Sequence, residues 1–153
     1  MSKAYLTIDD SPSKVMEAKL DFLDRKGIPA MFFCEGAKLE ERPELVKEAI
    51  RRGFIIGNHS YSHPKFSEIS FEKAKKEIKK TEEIIDDIYD KVDTERPGKF
   101  FRFPYGDKGG EKKKNSRSFS RARDSKNRAL KTSDMSGIAR MLPKILTGSG
   151  HLM

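Results

Sequence analysis

Over its first 107 residues the chain alternates between β-rich apolar runs and stretches with helical periodicity, and this alternation constrains the fold more than any other feature. Ala4-Tyr5-Leu6-Thr7-Ile8 reads as a strand that stops at Asp9-Asp10-Ser11-Pro12, where short polar residues and a proline break it. Ser13 then suits the N-cap of a helix through Lys26, with Val15, Met16, Leu20 and Leu23 as the apolar stripe and Gly27 as the stop. Pro29–Cys34 reads as a second strand, and Pro43–Arg52 as a helix begun by proline and closed by Gly53. Phe54-Ile55-Ile56-Gly57 gives a third strand. Ser70 caps a long amphipathic helix to about Tyr89, and Lys99–Phe103 is a fourth strand. Strands separated by helices in this way imply a parallel sheet with crossover helices.

In parallel sheets chemistry gathers at the carboxyl ends of the strands. Polar clusters follow the expected strands one, three and four. His59 and His63 are four residues apart, which on a helix would set both rings on one face, with Cβ atoms ~5–6 Å apart. Two ordinary surface or core histidines would show the same spacing, so the pair alone decides little. Asp9 and Asp10 are adjacent carboxylates at a strand end; taken alone, Asp-Asp-Ser-Pro is more often a polar turn with a helix cap. Taken together, two imidazoles and one carboxylate make a three-ligand metal site with positions left open, and the second carboxylate is then free to take a proton from water. Arg102, in Phe101-Arg102-Phe103-Pro104-Tyr105-Gly106, can pair bidentately with a carboxylate, and the turn around Pro104 can aim a backbone N–H at a developing oxyanion. A strand-terminal arginine on the surface is the plain alternative.

Three ordered segments now stand out: Thr7-Ile8-Asp9-Asp10-Ser11-Pro12, His59-Ser60-Tyr61-Ser62-His63 and Arg102-Phe103-Pro104-Tyr105. In this order and at these separations they resemble the first three motifs of the polysaccharide deacetylase (NodB homology, carbohydrate esterase) family. Ala30-Met31-Phe32-Phe33 with Gly36 is similar to that family's second strand, and the resemblance covers roughly residues 4–110. It implies an α/β fold, part of a distorted (β/α) barrel, here truncated. It also implies a hydrolase that removes acetyl groups from N- or O-acetylated sugars of glycans such as chitin or peptidoglycan. On the matching positions Asp9 is the base, and Asp10, His59 and His63 bind a divalent metal, zinc above all, with cobalt or nickel as alternatives. The same resemblance has Arg102 orient the base and the Tyr105 N–H stabilise the oxyanion.

Two departures qualify this. Ser11 replaces the family's usual glycine, small for small. More serious, the family's later Leu-x-His motif, which supplies the general acid, has no match: the third and last histidine, His151, lacks the preceding leucine and a strand context. The chain also has no tryptophan.

Composition matters chiefly for this C-terminal part. Residues 1–107 hold 20 Lys+Arg against 21 Asp+Glu, whereas residues 108–153 hold 12 against 3, so the net charge of +8 belongs to the tail. The tail is expected to be mostly disordered over 108–137; only Ile138–Leu146, interrupted by Pro143, has an amphipathic pattern. So abrupt a loss of pattern is what a reading-frame slip or an unrelated fusion produces. The tail lacks the aromatic interleaving of single-strand binders, which argues against nucleic acid. No run nears ~20 apolar residues, so no membrane span is expected, and Met1-Ser2-Lys3-Ala4 has no signal-peptide core, which places the chain in the cytoplasm if this start is authentic. Cys34, the single cysteine, excludes an internal disulfide and reads as a core residue.

The expected function is therefore metal-dependent deacetylation of an acetylated glycan, impaired by loss of the C-terminal motifs. The alternatives are a metal-binding pseudoenzyme and a basic-tailed module for anionic polymers. A half barrel with exposed strand edges is also expected to self-associate or to be marginally stable.

Overall fold

The computed structural model of the chain describes residues 6–109. Ala4 and Tyr5 of the first expected strand, the basic run from Glu111, the segment Ile138–Leu146 and His151 lie outside the described residues.

The strands β1 (Leu6–Ser11), β2 (Ala30–Cys34) and β3 (Ile55–Asn58) form a parallel sheet in the order β1-β2-β3. Between them lie the helices α1 (Met16–Arg25), α2 (Gly36–Glu41) and α3 (Pro43–Arg51), and α4 (Phe71–Lys91) follows β3. This is the strand–helix alternation expected of one part of a (β/α) barrel. The central strand β2 is buried at all five residues, as a parallel strand covered on both faces must be. Ala30, Phe32 and Cys34 face a core built with Met16, Leu20, Leu39, Val46, Ile56 and Ile85. Phe33 points to the other face, where Arg102 and His59 meet its ring.

Both glycine stops act as the spacing predicts. Gly27 and Gly53 take left-handed φ values of 60° and 84°. Ile28 N–H then reaches back to Leu23 O and Phe54 N–H to Ala49 O, satisfying carbonyls that each helix end would leave bare. Ser70 caps α4 with its hydroxyl on Lys73 N–H.

Three local expectations need correcting. Helix α1 begins at Met16 rather than after Ser13; the Ser13 carbonyl accepts from Met16 N–H in a preceding turn, and its hydroxyl engages Lys19 instead of the helix end. The short helix α2 has no sequence signal beyond its place, since six residues are too few to establish a period. The expected fourth strand at Lys99–Phe103 is reduced to a single bridge, Phe101 to Asn58, flanked by Asn58 N–H to Phe100 O and Arg102 N–H to Asn58 O. One residue pair further back, Ile56 N–H finds the Tyr89 hydroxyl at 3.2 Å instead of a strand partner. The side chain of α4 thus occupies the place of ladder pairing there. No described helix is long and apolar enough to cross a membrane.

Candidate metal centre

The site assembles at the carboxyl ends of the three strands and begins with an irregularity in β1. Ile8 pairs with Phe32 and Ser11 with Cys34, so three steps on β1 face two on β2, a β-bulge at Asp9-Asp10. Asp10 sits there at φ 56°, in the left-handed region, and Lys38 Nζ donates to its carbonyl at 3.2 Å. A regular strand would send Asp9 and Asp10 to opposite faces. The bulge re-aims both towards the site.

His59 follows β3 directly and is 2% exposed. Its Nδ1 lies 2.9 Å from the Arg102 carbonyl oxygen. A carbonyl only accepts, so Nδ1 carries a proton, and in the neutral ring Nε2 keeps its lone pair. The segment from His59 to His63 is not a helix. Ser60 and His63 have φ values of 67° and 55°, which fold it into a tight loop, and the loop, not a helical face, brings the two rings together. The four-residue spacing was informative, but the geometry behind it is different: Asn58 Oδ1 and Ser60 Oγ accept from Ser60 N–H and His63 N–H, contacts that favour a turn.

Three donor atoms converge. Asp10 Oδ1 is 3.1 Å from His63 Nε2 and 3.4 Å from His59 Nε2, and the two Nε2 atoms are 3.2 Å apart. With Asp10 as carboxylate and both rings neutral, Asp10 Oδ1 and His59 Nε2 only accept, so at most one proton, on His63, can bridge the three. Such crowding of lone pairs is offset well by a cation. Ligands about 2.0–2.1 Å from a tetrahedral zinc stand about 3.3 Å from one another. The triangle fits one face of that tetrahedron, and it leaves the fourth position open.

Asp9 stands beside this triangle but belongs to a different pair. Arg102 Nη1 donates to Asp9 Oδ1 at 2.7 Å and to Thr7 Oγ1 at 2.9 Å. The pairing runs through that one nitrogen rather than the bidentate fork the sequence allowed, because the guanidinium lies over the Phe33 ring, 4.3 Å from its centroid. Gly57 makes the stack fit: a Cβ there would come within 2.7 Å of the Phe33 ring. Tyr105, at φ 57° in a single 3-10 turn over Pro104–Gly106, is 68% exposed and sets its ring 4.6 Å from that of His63.

Cys34 is fully buried, and burial, with Glu35 adding to it, pushes its thiol well up, which suits a core residue and not a nucleophile. Two residues that support the site were not singled out from sequence. Asn58, completely buried, donates from Nδ2 to Ile78 O and Glu82 Oε1 while its Oδ1 holds the Ser60 amide. Glu77, on the packed face of α4, accepts from Tyr61 N–H, Ser62 N–H and Ser62 Oγ. The signal for Glu77 was present: a charged residue three after Ala74 and four before Thr81, inside the apolar stripe of an amphipathic helix.

Comparison with known proteins returns one consistent result. The family model described as polysaccharide deacetylase matches residues 2–122. A peptidoglycan-N-acetylglucosamine deacetylase of Bacillus cereus is 37% identical over 107 residues, covering 69% of this chain and 37% of that protein. A chitooligosaccharide deacetylase of Rhizobium leguminosarum bv. trifolii is 35% identical over 82 residues, 53% of this chain and 38% of that one. Among solved structures, a peptidoglycan N-acetylglucosamine deacetylase in complex with 4-naphthalen-1-yl-N-oxidanyl-benzamide superposes with a TM-score of 0.61 at 35% identity, over 67% of this chain and 46% of that one. The chain thus spans well under two thirds of the length of each of these three relatives.

Proposed function

Because the chain belongs to the polysaccharide deacetylase family, we propose that it is a metal-dependent hydrolase that removes acetyl groups from acetylated sugars of a glycan, with the N-acetyl amide as the bond cleaved. The observation that carries this reading is the Asp10–His59–His63 triangle with Asp9 held apart from it by Arg102. Two carboxylates adjacent in sequence are thereby given separate tasks: one binds, the other remains free for proton transfer.

Asp10, His59 and His63 are the residues that hold the metal, with zinc the best match to two imidazoles and a carboxylate. A divalent ion there supplies Lewis-acid polarisation and activates water. Asp9 takes the proton from the attacking water as its oxygen bonds to the acetyl carbon. Arg102 holds Asp9 pointed at that proton. The Tyr105 N–H donates to the carbonyl oxygen as it gains charge. The C–N bond then breaks, acetate forms, and the departing nitrogen receives a proton. Among the described residues the only histidines are the two ligands, so neither is free to supply that proton, and Asp9 in its acid form can return the one it took from water. Where Asp9 serves as both base and acid, turnover is expected to be ~10²–10⁴-fold slower than with a separate general acid.

The substrate class follows from relatives named for peptidoglycan N-acetylglucosamine and for chitooligosaccharide, which share the 2-acetamido sugar. Acetate release from N-acetylated chitooligosaccharides and from peptidoglycan, assayed with zinc and after chelation, tests the reading. Metal-dependent release that is lost in Asp9→Asn supports it. No release from either substrate by a zinc-loaded chain points instead to a metal-binding chain without turnover.

A further inference from the structure

We propose that Glu77 of α4 is a positioning residue for the metal ligand His63, acting through the loop that carries it; the inference rests on the metal centre proposed above. The two histidine ligands are held differently. His59 has its ring fixed by the Arg102 carbonyl and is almost wholly buried. His63 is the more exposed of the two, with 19% of its side chain accessible. Its direction therefore depends on the backbone from which it springs. That backbone adopts the left-handed region at both Ser60 and His63, a conformation that costs energy in residues other than glycine and persists only where its surroundings fix it.

The surroundings are explicit. On one side of the loop the carbonyls of Ser60 and Tyr61 accept from Gly36 N–H and Ala37 N–H at the start of α2. On the other side the amides of Tyr61 and Ser62 both donate to Glu77 Oε2, at 3.0 and 2.7 Å, and the Ser62 hydroxyl donates to Oε1 at 2.8 Å. Glu77 is only 7% exposed. Its carboxylate is thus the common acceptor for two consecutive loop amides, and no other described side chain takes either of them. Without it the two N–H groups lose their acceptor and the loop relaxes away from the strained turn, carrying His63 out of the triangle.

The test is the zinc affinity of the full chain, measured by competition with a chromophoric chelator, together with the absorption spectrum of the cobalt(II) form. Glu77→Ala is expected to weaken zinc binding ~10–100-fold, the usual cost of losing a group that orients a ligand, and to alter the cobalt spectrum. Glu77→Gln keeps an oxygen for the two amides and offers its NH2 to the Ser62 hydroxyl, so it is expected to bind within about three-fold of the parent. Ile88→Val, which trims the core on the same helix, is expected to lower the melting temperature and leave affinity unchanged. Where Glu77→Ala does not fold, Glu77→Asp serves, since one methylene fewer leaves the amides out of reach, and the same weakening is expected. Parent-like affinity and spectrum in a folded Ala or Asp variant would overturn the proposal. So would a Gln variant as weak as the Ala variant, which would make charge and not placement the cause. A parent chain that binds neither metal would overturn the metal centre first and this inference with it.

Discussion

Arg102 contributes two unrelated groups to the site. Its backbone carbonyl fixes the His59 tautomer, and its guanidinium holds Asp9. A substitution removes only the second. Arg102→Ala is therefore expected to retain metal within a few-fold of the parent but to lower deacetylation ~10²-fold, the order of loss that a misplaced catalytic group produces; metal analysis and acetate release on one preparation check both halves. The candidate site residues were legible because their types, order and strand-end positions coincide. The carbonyl of Arg102 was not legible, because every residue has one and only the fold says which is used. A second residue tests pH dependence. Burial works against ionisation of Asp86, yet hydrogen bonds from Lys99 and Arg96 outweigh it and hold its carboxyl below the ordinary range. Its folded pKa is thus below its unfolded one, so its contribution to stability is present above about pH 4 and is lost as pH falls through the folded value. Urea midpoints taken from about pH 5 to about pH 3 are expected to fall more steeply for the parent than for Asp86→Asn.

At the scale of elements, periodicity gave the three strands and the three longer helices, while irregular features escaped it. The bulge at Asp9-Asp10 carries no hydrophobic signature, since both residues are polar on either face. Strand four was overestimated because Phe100, Phe101 and Phe103 look like a strand. The rings of Phe101 and Phe103 instead form a cluster with Phe66, in which Phe101 and Phe103 stand 4.8 Å apart edge to face, and pairing to β3 survives only at Asn58. Gly57 links the sheet to the site. Gly57→Ala is expected to cost about 1–3 kcal/mol, because the added methyl meets the Phe33 ring in a packed interior and must displace it. Arg102 stacks on that ring, so the variant should also lose acetate release in excess of its thermal destabilisation. Equal melting of variant and parent would contradict the packing described.

For the molecule as a whole, the sheet has no described strand beyond β1, and Leu6, Val15, Phe22 and Ile28 are exposed around it. An edge with no described partner strand beside apolar side chains favours association, and sedimentation over a range of concentrations is expected to show species larger than the monomer; a single monomeric boundary throughout would count against it. That the net basic charge belongs to residues 108–153 could be read from sequence. Metal analysis of purified protein bears on the Asp10–His59–His63 site itself. The parent is expected to carry close to one zinc per chain, and Asp10→Ala and His59→Ala close to none, with their folds preserved in circular dichroism. Metal content that neither substitution changes would contradict the assignment of Asp10, His59 and His63 as its ligands.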